Sequence, residues 1–99
     1  MSSLTIDTAV PRAVFLTILE DRLELQLEDG RGLSIPLVWF PRLLKGTEKE
    51  RGNWLWIGNG TGIHWPELDE DLSVAHLLAG HRSRESAKSL EAWLKQRDT

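Results

Sequence analysis

The segment from Gly62 to Ser73 holds the residues of this chain that are best suited to chemistry. His64 and Trp65 come first, and Asp69 and Asp71 follow within seven positions of the histidine. An imidazole that meets one of these carboxylates can exchange protons with it or share a metal ion. The candidate binding residues are therefore His64, Trp65, Asp69 and Asp71.

The same segment also carries residues that serve backbone geometry. Asp and Ser are favoured as helix caps, and acidic side chains are favoured in the first turn, so Asp71 or Ser73 is predicted to cap the following helix. The structural residues assigned to the segment are Gly62 for a turn, Pro66 for a strand end, and Glu70 and Ser73 for the helix start. No HxH or HxxxH spacing is present, so no catalytic residue, metal ligand set or cofactor is assigned.

The amino-acid composition excludes some kinds of site and disfavours some kinds of partner. The 99 residues fit one globular domain, and the lack of cysteine excludes disulfides, thiolate catalysis and zinc–thiolate sites. The net charge of −3 makes the chain a poor binder of phosphate, so nucleic acid is a disfavoured partner. The Met1–Leu4 start has neither a basic nor an apolar signal region, and no apolar run could span a membrane. We expect a cytoplasmic protein of bacterial type.

The first half of the chain predicts a three-stranded antiparallel meander. The run from Ala13 to Leu19 is apolar on both faces, which predicts a central strand covered on both sides. A strictly alternating strand follows, with one apolar and one charged face. Asp29 and Gly30 then predict a two-residue type I′ turn, and Pro36 predicts the end of the third strand.

The second half predicts short helices around a short hairpin. Pro41–Lys45 should form a helical turn, and Thr47 with Glu50 should form a capping box. Residues 54–57 and 62–65 should form the hairpin strands. Ser83 is predicted to cap a last amphipathic helix, whose apolar stripe comprises Ala87, Leu90, Trp93 and Leu94.

Together these elements predict an α+β fold: a small antiparallel sheet, made of the meander plus the hairpin, with short helices and a C-terminal amphipathic helix. Residues 1–9 are expected to be a loose lead-in, residues 10–80 a single domain, and residues 81–99 a helix packed on it.

Trp54 and Trp56 lie two positions apart and should share one face of a strand. Such a pair could stack nucleic-acid bases. Large rings also fill small cores, and the neighbours here are acidic rather than basic, so the core role is favoured.

The order of several motifs resembles the small bacterial family known as domain of unknown function 2442. The residues that carry the resemblance are Pro41-Arg42-Leu43-Leu44, Thr47, Arg51, Trp54, Gly58, Gly60, the run Gly62–Ser73 and Leu77-Leu78. The resemblance implies a compact α+β domain without an established catalytic residue. Some relatives join a helix-turn-helix or sit beside small toxin-like proteins, which implies a regulatory or antitoxin-like role. Residues 81–99 are too few for a helix-turn-helix.

We therefore expect a non-enzymatic interaction or regulatory module whose partner is another protein, with a small basic toxin-like protein as the specific candidate. Homodimerisation through uncovered strand edges is left open. One alternative is a ligand- or metal-binding domain centred on His64 with Asp69 or Asp71. A second alternative is nucleic-acid binding through Trp54, Trp56 and the basic tail helix.

Overall fold

The computed structural model describes residues 10–97, and the lead-in expected at residues 1–9 lies outside that range. These residues fold into two three-stranded antiparallel sheets with four α-helices, so the α+β prediction is confirmed. The first sheet contains β1 (Ala13–Ile18), β2 (Arg22–Leu27) and β3 (Gly32–Pro36) in that order, which confirms the meander.

The alternating pattern of β2 sets how the first sheet packs. Leu23, Leu25 and Leu27 are at most 3% exposed, whereas Arg22 and Glu24 lie on the opposite, wetter face. One face of the sheet therefore lies on the core and the other faces solvent, as the alternation predicted.

The prediction that β1 is central was wrong, because β1 is an edge strand beside β2. Its pairing passes from Ala13 opposite Leu27 to Phe15 opposite Gln26, so Val14 is an extra residue in a β-bulge. Val14 and Phe15 are 55% and 61% exposed. The apolar character on both faces of this strand thus reflects exposed side chains rather than a second covering layer.

The turn between β2 and β3 differs from the predicted type I′ geometry. Leu27 N–H donates to the Arg31 carbonyl at 2.8 Å, which leaves three residues in the loop. Within it Gly30 has a positive φ of 96°, whereas Asp29 does not. A three-residue loop of this kind needs one left-handed residue, and glycine supplies it.

Three short helical segments follow β3: a 3₁₀ turn at Leu37–Trp39, α1 at Pro41–Lys45 and α2 at Glu48–Gly52. The capping box is confirmed, since Glu50 N–H donates to Thr47 Oγ1 at 3.1 Å. In return, Thr47 N–H donates to Glu50 Oε1 at 2.8 Å.

The second sheet contains β4 (Leu55–Ile57), β5 (Gly62–Trp65) and β6 (Glu70–Ser73) in that order. The β4–β5 hairpin was predicted, but β6 was not. Acidic residues are uncommon in strands, so Asp69, Glu70 and Asp71 indicated a helix start instead. The turn that returns the chain to β5 places Asp69 in the left-handed region, with φ 51°.

The next helix, α3 (Val74–Leu78), begins at Ser73, whose Oγ accepts from His76 N–H at 3.4 Å. Ser73 is therefore the cap and Asp71 is not. Gly80, with φ 81°, ends the helix in a Schellman arrangement in which His81 N–H donates to the His76 carbonyl at 2.9 Å.

The last helix, α4 (Ala87–Arg97), begins later than predicted. Ser89 N–H donates to Ser86 Oγ at 3.0 Å, so Ser86 caps the helix, and the prediction of Ser83 was wrong. Ser83 instead accepts from Glu85 N–H at 3.1 Å in the preceding segment. Of the apolar stripe, Leu90, Trp93 and Leu94 are half-buried, and Ala87 is exposed.

The core lies between the inner faces of the two sheets and is closed by the short helices. Its buried members are Ala13, Leu16, Leu23, Leu25, Leu27, Ile35, Leu37, Phe40, Leu43, Ile63, Trp65, Leu68, Leu72, Val74 and Leu77. Across residues 10–97 no helix has the length and apolar content needed to cross a bilayer.

Candidate functional site

The structure brings His64 and Asp71 together and keeps Asp69 apart from them. His64 in β5 lies directly opposite Asp71 in β6. Its Nδ1 contacts Asp71 Oδ1 at hydrogen-bonding distance. A carboxylate that is ionised can only accept, so a hydrogen bond to it requires the proton on Nδ1. The imidazole orientation is thereby fixed by a neighbouring strand.

The pair lies on an open surface rather than in a closed cavity. The side chains of His64 and Asp71 are 36% and 66% exposed. No hydrogen bond within residues 10–97 uses the His64 Nε2 atom. The pair can therefore offer a ring nitrogen and a carboxylate to an incoming molecule.

Asp69 belongs to a different part of the surface. Its side chain is 90% exposed and its Oδ2 lies 3.7 Å from Arg42 Nη1. In the described part of the chain, no three His, Asp or Glu side chains converge as a metal ion would require. The alternative centred on His64 and both aspartates thus has only His64 and Asp71 in contact.

Trp65 supports this surface from the core. It is fully buried, and its Nε1–H donates to the Arg51 carbonyl at 2.9 Å. The Arg51 guanidinium in turn donates to the Leu43 carbonyl at 3.2 Å and also contacts the Gly46 carbonyl. Trp65 and Arg51 together fix β5 to the ends of α1 and α2, so Trp65 is not on the exposed surface beside His64.

Gly62 shapes the surface by having no side chain. A Cβ at this position would lie 2.9 Å from the Leu72 carbonyl oxygen, closer than a Cβ can sit. The bare backbone of Gly62 leaves a shallow floor between Ile57 of β4 and Ser73 of β6, which are its register partners. Pro66 follows β5 directly and ends it.

These residues define one surface, which we call the outer face. It is the solvent side of the second sheet and comprises Leu55, Ile57, Gly62, His64, Asp71 and Ser73. Leu55 and Ile57 are 58% and 40% exposed. A concavity of about 320 Å³ adjoins the floor and extends to Val10 and Ala75. The outer face is therefore apolar along β4 and acidic along β6.

Trp54 and Trp56 lie on the other side of the second sheet. Their ring centroids are 4.8 Å apart at an interplanar angle of 72°, so the edge of one ring meets the face of the other. Both rings are half-buried and pack against the core. This is the arrangement expected of core-filling rings, and it covers part of the ring surface that base stacking would use.

The sequence reasoning missed a second cluster, built around Arg42. Its guanidinium holds Glu85 through Nε at 2.9 Å and Nη2 at 2.6 Å, and it lies 4.9 Å from the Trp93 ring centroid. The side chains of Arg42 and Glu85 are 15% and 11% exposed. The two residues are 43 positions apart, so no local spacing indicated the pair.

Glu70 borders this second cluster. Burial, and then the charge of Glu85, raises the pKa of the Glu70 carboxyl to about 7. A cavity of about 340 Å³ lies here, lined by Arg42, Glu70 and Glu85 among others. Hydrogen bonding to Arg42 holds the pKa of Glu85 below its usual range. The cluster can hold a proton on Glu70, but its arginine is already engaged.

Comparison with known proteins adds a family and two structures. A family model described as protein of unknown function (DUF2442) matches residues 13–83. A crystal structure of a protein of unknown function from Rhodospirillum rubrum is 28% identical, covers 76% of this chain and 93% of its own, and has a TM-score of 0.66. No curated protein matches the chain.

A second structure was determined by solution NMR for an uncharacterised protein of Chromobacterium violaceum. It is 19% identical, covers 92% of this chain and 84% of its own, and has a TM-score of 0.65, so it shows likeness of fold alone. The family match extends over most of the described fold, from β1 to the segment before α4. The chain therefore belongs to the DUF2442 family of proteins of unknown function.

Proposed function

We propose that the protein is a non-enzymatic interaction module that binds another protein through its outer face. The observation that carries the proposal is the juxtaposition of exposed Leu55 and Ile57 with the exposed His64–Asp71 pair on one sheet face. Exposed apolar side chains beside polar groups are typical of protein–protein surfaces.

The chemistry of the outer face describes the partner. Leu55 and Ile57 favour apolar side chains of the partner, and the concavity lined by Ile57, Ser73 and Ala75 leaves room for one of them. Asp71, at the other side of the face, favours a basic residue. The net charge of −3 acts in the same sense, because it attracts a basic partner over a distance.

In its most specific form, the proposal is that the partner is a small basic, toxin-like protein and that this chain neutralises it, in the cytoplasm of a bacterium. A homodimer formed through the same face is the competing form of protein binding. The absence of catalysis is part of the proposal, since the hydroxyl of Ser73 on the outer face serves as the cap of α3 and accepts from His76 N–H.

Affinity purification with two matched variants tests the proposal. Ile57→Glu places a charge on the outer face, whereas Val38→Glu places one on another exposed apolar residue, in the 3₁₀ turn, which is 65% exposed against 40% for Ile57. We expect the unmodified chain and Val38→Glu to retain the same partner protein, and Ile57→Glu to lose it. Retention of every partner by Ile57→Glu would contradict binding at the outer face.

The same purified proteins distinguish the forms of binding. Sedimentation of the isolated chain reports self-association, and a dimer that Ile57→Glu dissociates would replace the hetero-partner by a second copy. A ligand or metal bound without any protein, and lost in His64→Ala, would favour the ligand-binding alternative over this one.

A further inference from the structure

A further cavity lies away from the outer face, between β1 and α2. It encloses about 680 Å³ and is lined by Leu16, Ile18, Leu19, Glu20, Glu48, Arg51, Gly52 and Trp54. We call it the β1–α2 cleft. Three aliphatic side chains and a half-buried indole give it apolar walls, and two glutamates stand among them.

The free backbone of β1 forms one wall of the cleft. Leu19 N–H donates to the Arg22 carbonyl at 2.8 Å, so Leu19 turns its hydrogen-bonding groups towards β2. Hydrogen-bonding direction alternates along an antiparallel strand. The N–H and C=O groups of Leu16 and Ile18 therefore point away from β2, towards the cleft.

Within residues 10–97, only the start of this edge is covered. Ala13 N–H donates to the Gly60 carbonyl at 2.8 Å, which closes the edge before the bulge at Val14. After the bulge, β1 has β2 as its one strand neighbour in the described sheet. An open edge of this kind is a template for an added strand.

Charge in the cleft specifies what the added strand carries. Glu20 and Glu48 make no hydrogen bond or ion pair with any residue from 10 to 97, and both are exposed. Arg51, the cation of the lining, bonds through Nη1 to the carbonyls of Leu43, Leu44 and Gly46 and forms no ion pair with either glutamate, so two negative charges stand against one positive charge in the cleft. The carboxylates are thus available to a cation, and the apolar walls and Trp54 suit the aliphatic stem of a long basic side chain.

We propose that the β1–α2 cleft binds an extended basic peptide segment of a partner chain, which adds as a strand to the free edge of β1. Main-chain bonds to Leu16 and Ile18 hold the segment, and a Lys or Arg side chain lies between Glu20 and Glu48. This site is separate from the outer face, so the two binding proposals can be tested independently of each other.

A titration with designed peptides tests the cleft. The probe is a peptide of about eight residues, a usual strand length, that alternates lysine and valine. We expect it to shift the backbone amide resonances of Leu16 and Ile18 in the full ¹⁵N-labelled chain. Two N-methylated forms of this peptide serve as controls. Methyl groups on the amides that face β1 should abolish binding, because they remove the donors. Methyl groups on the alternate amides, which face away from β1, should leave binding intact.

Two carboxylate variants supply the charge control. Glu20→Gln with Glu48→Gln should weaken the lysine peptide about three- to tenfold, the range for exposed ion pairs. Glu91→Gln, on an exposed face of α4, should leave the affinity unchanged, and so should Ile57→Glu on the outer face.

Three outcomes would overturn the proposal. Amide shifts spread over the surface without Leu16 and Ile18 would show binding by charge alone. Equal affinity for a glutamate–valine peptide would remove the basic specificity. Sedimentation showing that this edge already pairs with a second copy of the chain would assign the cleft to a dimer instead.

Discussion

Glu70 shows how position can change the chemistry of a single residue. It lies at the start of β6, half-buried beside Glu85, and its pKa is raised to about 7. In the unfolded chain the carboxyl ionises near its ordinary value of 4.5. The folded state therefore holds a proton that the unfolded state has lost, and stability falls as pH rises from about 4.5 to about 7.

Glu70→Gln should remove this loss of stability at rising pH. As the pH rises from 5 to 8, the unfolding free energy of the variant relative to that of the unmodified chain should increase by roughly 1–2 kcal/mol, after allowance for solvent screening. Urea unfolding at both pH values measures it, and groups common to the two proteins cancel in the difference. A constant difference across this range would show that Glu70 titrates normally.

Gly62 gives a second residue-scale prediction. Gly62→Ala should destabilise the fold by about 1–3 kcal/mol, because the new Cβ would lie 2.9 Å from the Leu72 carbonyl oxygen. This oxygen belongs to the backbone of β6 and cannot move away without a shift of the strand. Gly32→Ala is the control, since its nearest contact is 3.6 Å. Thermal unfolding compares the two, and equal melting temperatures would contradict the close approach of β5 and β6.

Among the secondary-structure elements, those specified by a few neighbouring residues were predicted correctly. The leucine alternation of β2 and the capping box of α2 are complete within a few residues, so both were predictable. β6 was not, because its acidic residues become a strand only through pairing with β5. The exposed edge position of β1 was also hidden, since apolar residues on both faces indicate burial whether or not a covering layer exists.

The attachment of α4 is the element-scale feature that can be tested. Trp93 lies between two arginines, Arg42 and Arg97, whose guanidinium carbons are 4.9 and 4.7 Å from its ring centroid. Arg42 also holds Glu85 just before the helix, and Arg97 holds Glu50 at its far end. Hydrogen bonding from Arg97 lowers the pKa of Glu50 to about 2. The helix is thus held by an ion pair at each end and by the contacts of the Trp93 ring with the two arginines.

Arg42→Lys should loosen α4, because lysine keeps the charge but loses the two-pronged contact with Glu85. We expect faster amide hydrogen exchange in α4, equivalent to a loss of about 1–3 kcal/mol, with little change in β2. Lys95→Gln, at a side chain 78% exposed, is the control and should exchange as the unmodified chain does. Unchanged exchange in Arg42→Lys would show that apolar contacts alone hold the helix.

For the whole molecule, the candidate site was predictable only in part. His64 and Asp71 were named from the sequence, but their contact depends on the unpredicted strand β6. Trp65 was named as a candidate binding residue and proved to be a core residue, because a tryptophan in a short motif can serve packing as readily as binding. The apolar half of the outer face, Leu55 and Ile57, was missed since an isolated exposed aliphatic gives no sequence signal.

Binding at the outer face is the central claim for the molecule, and site-directed photo-crosslinking in the native organism tests it most directly. A photoreactive side chain at Leu55, 58% exposed, would be compared with one at Glu91 on α4. We predict one discrete crosslinked protein from Leu55 and none from Glu91. No discrete product from Leu55, or the same products from both positions, would contradict the claim that the outer face binds a partner.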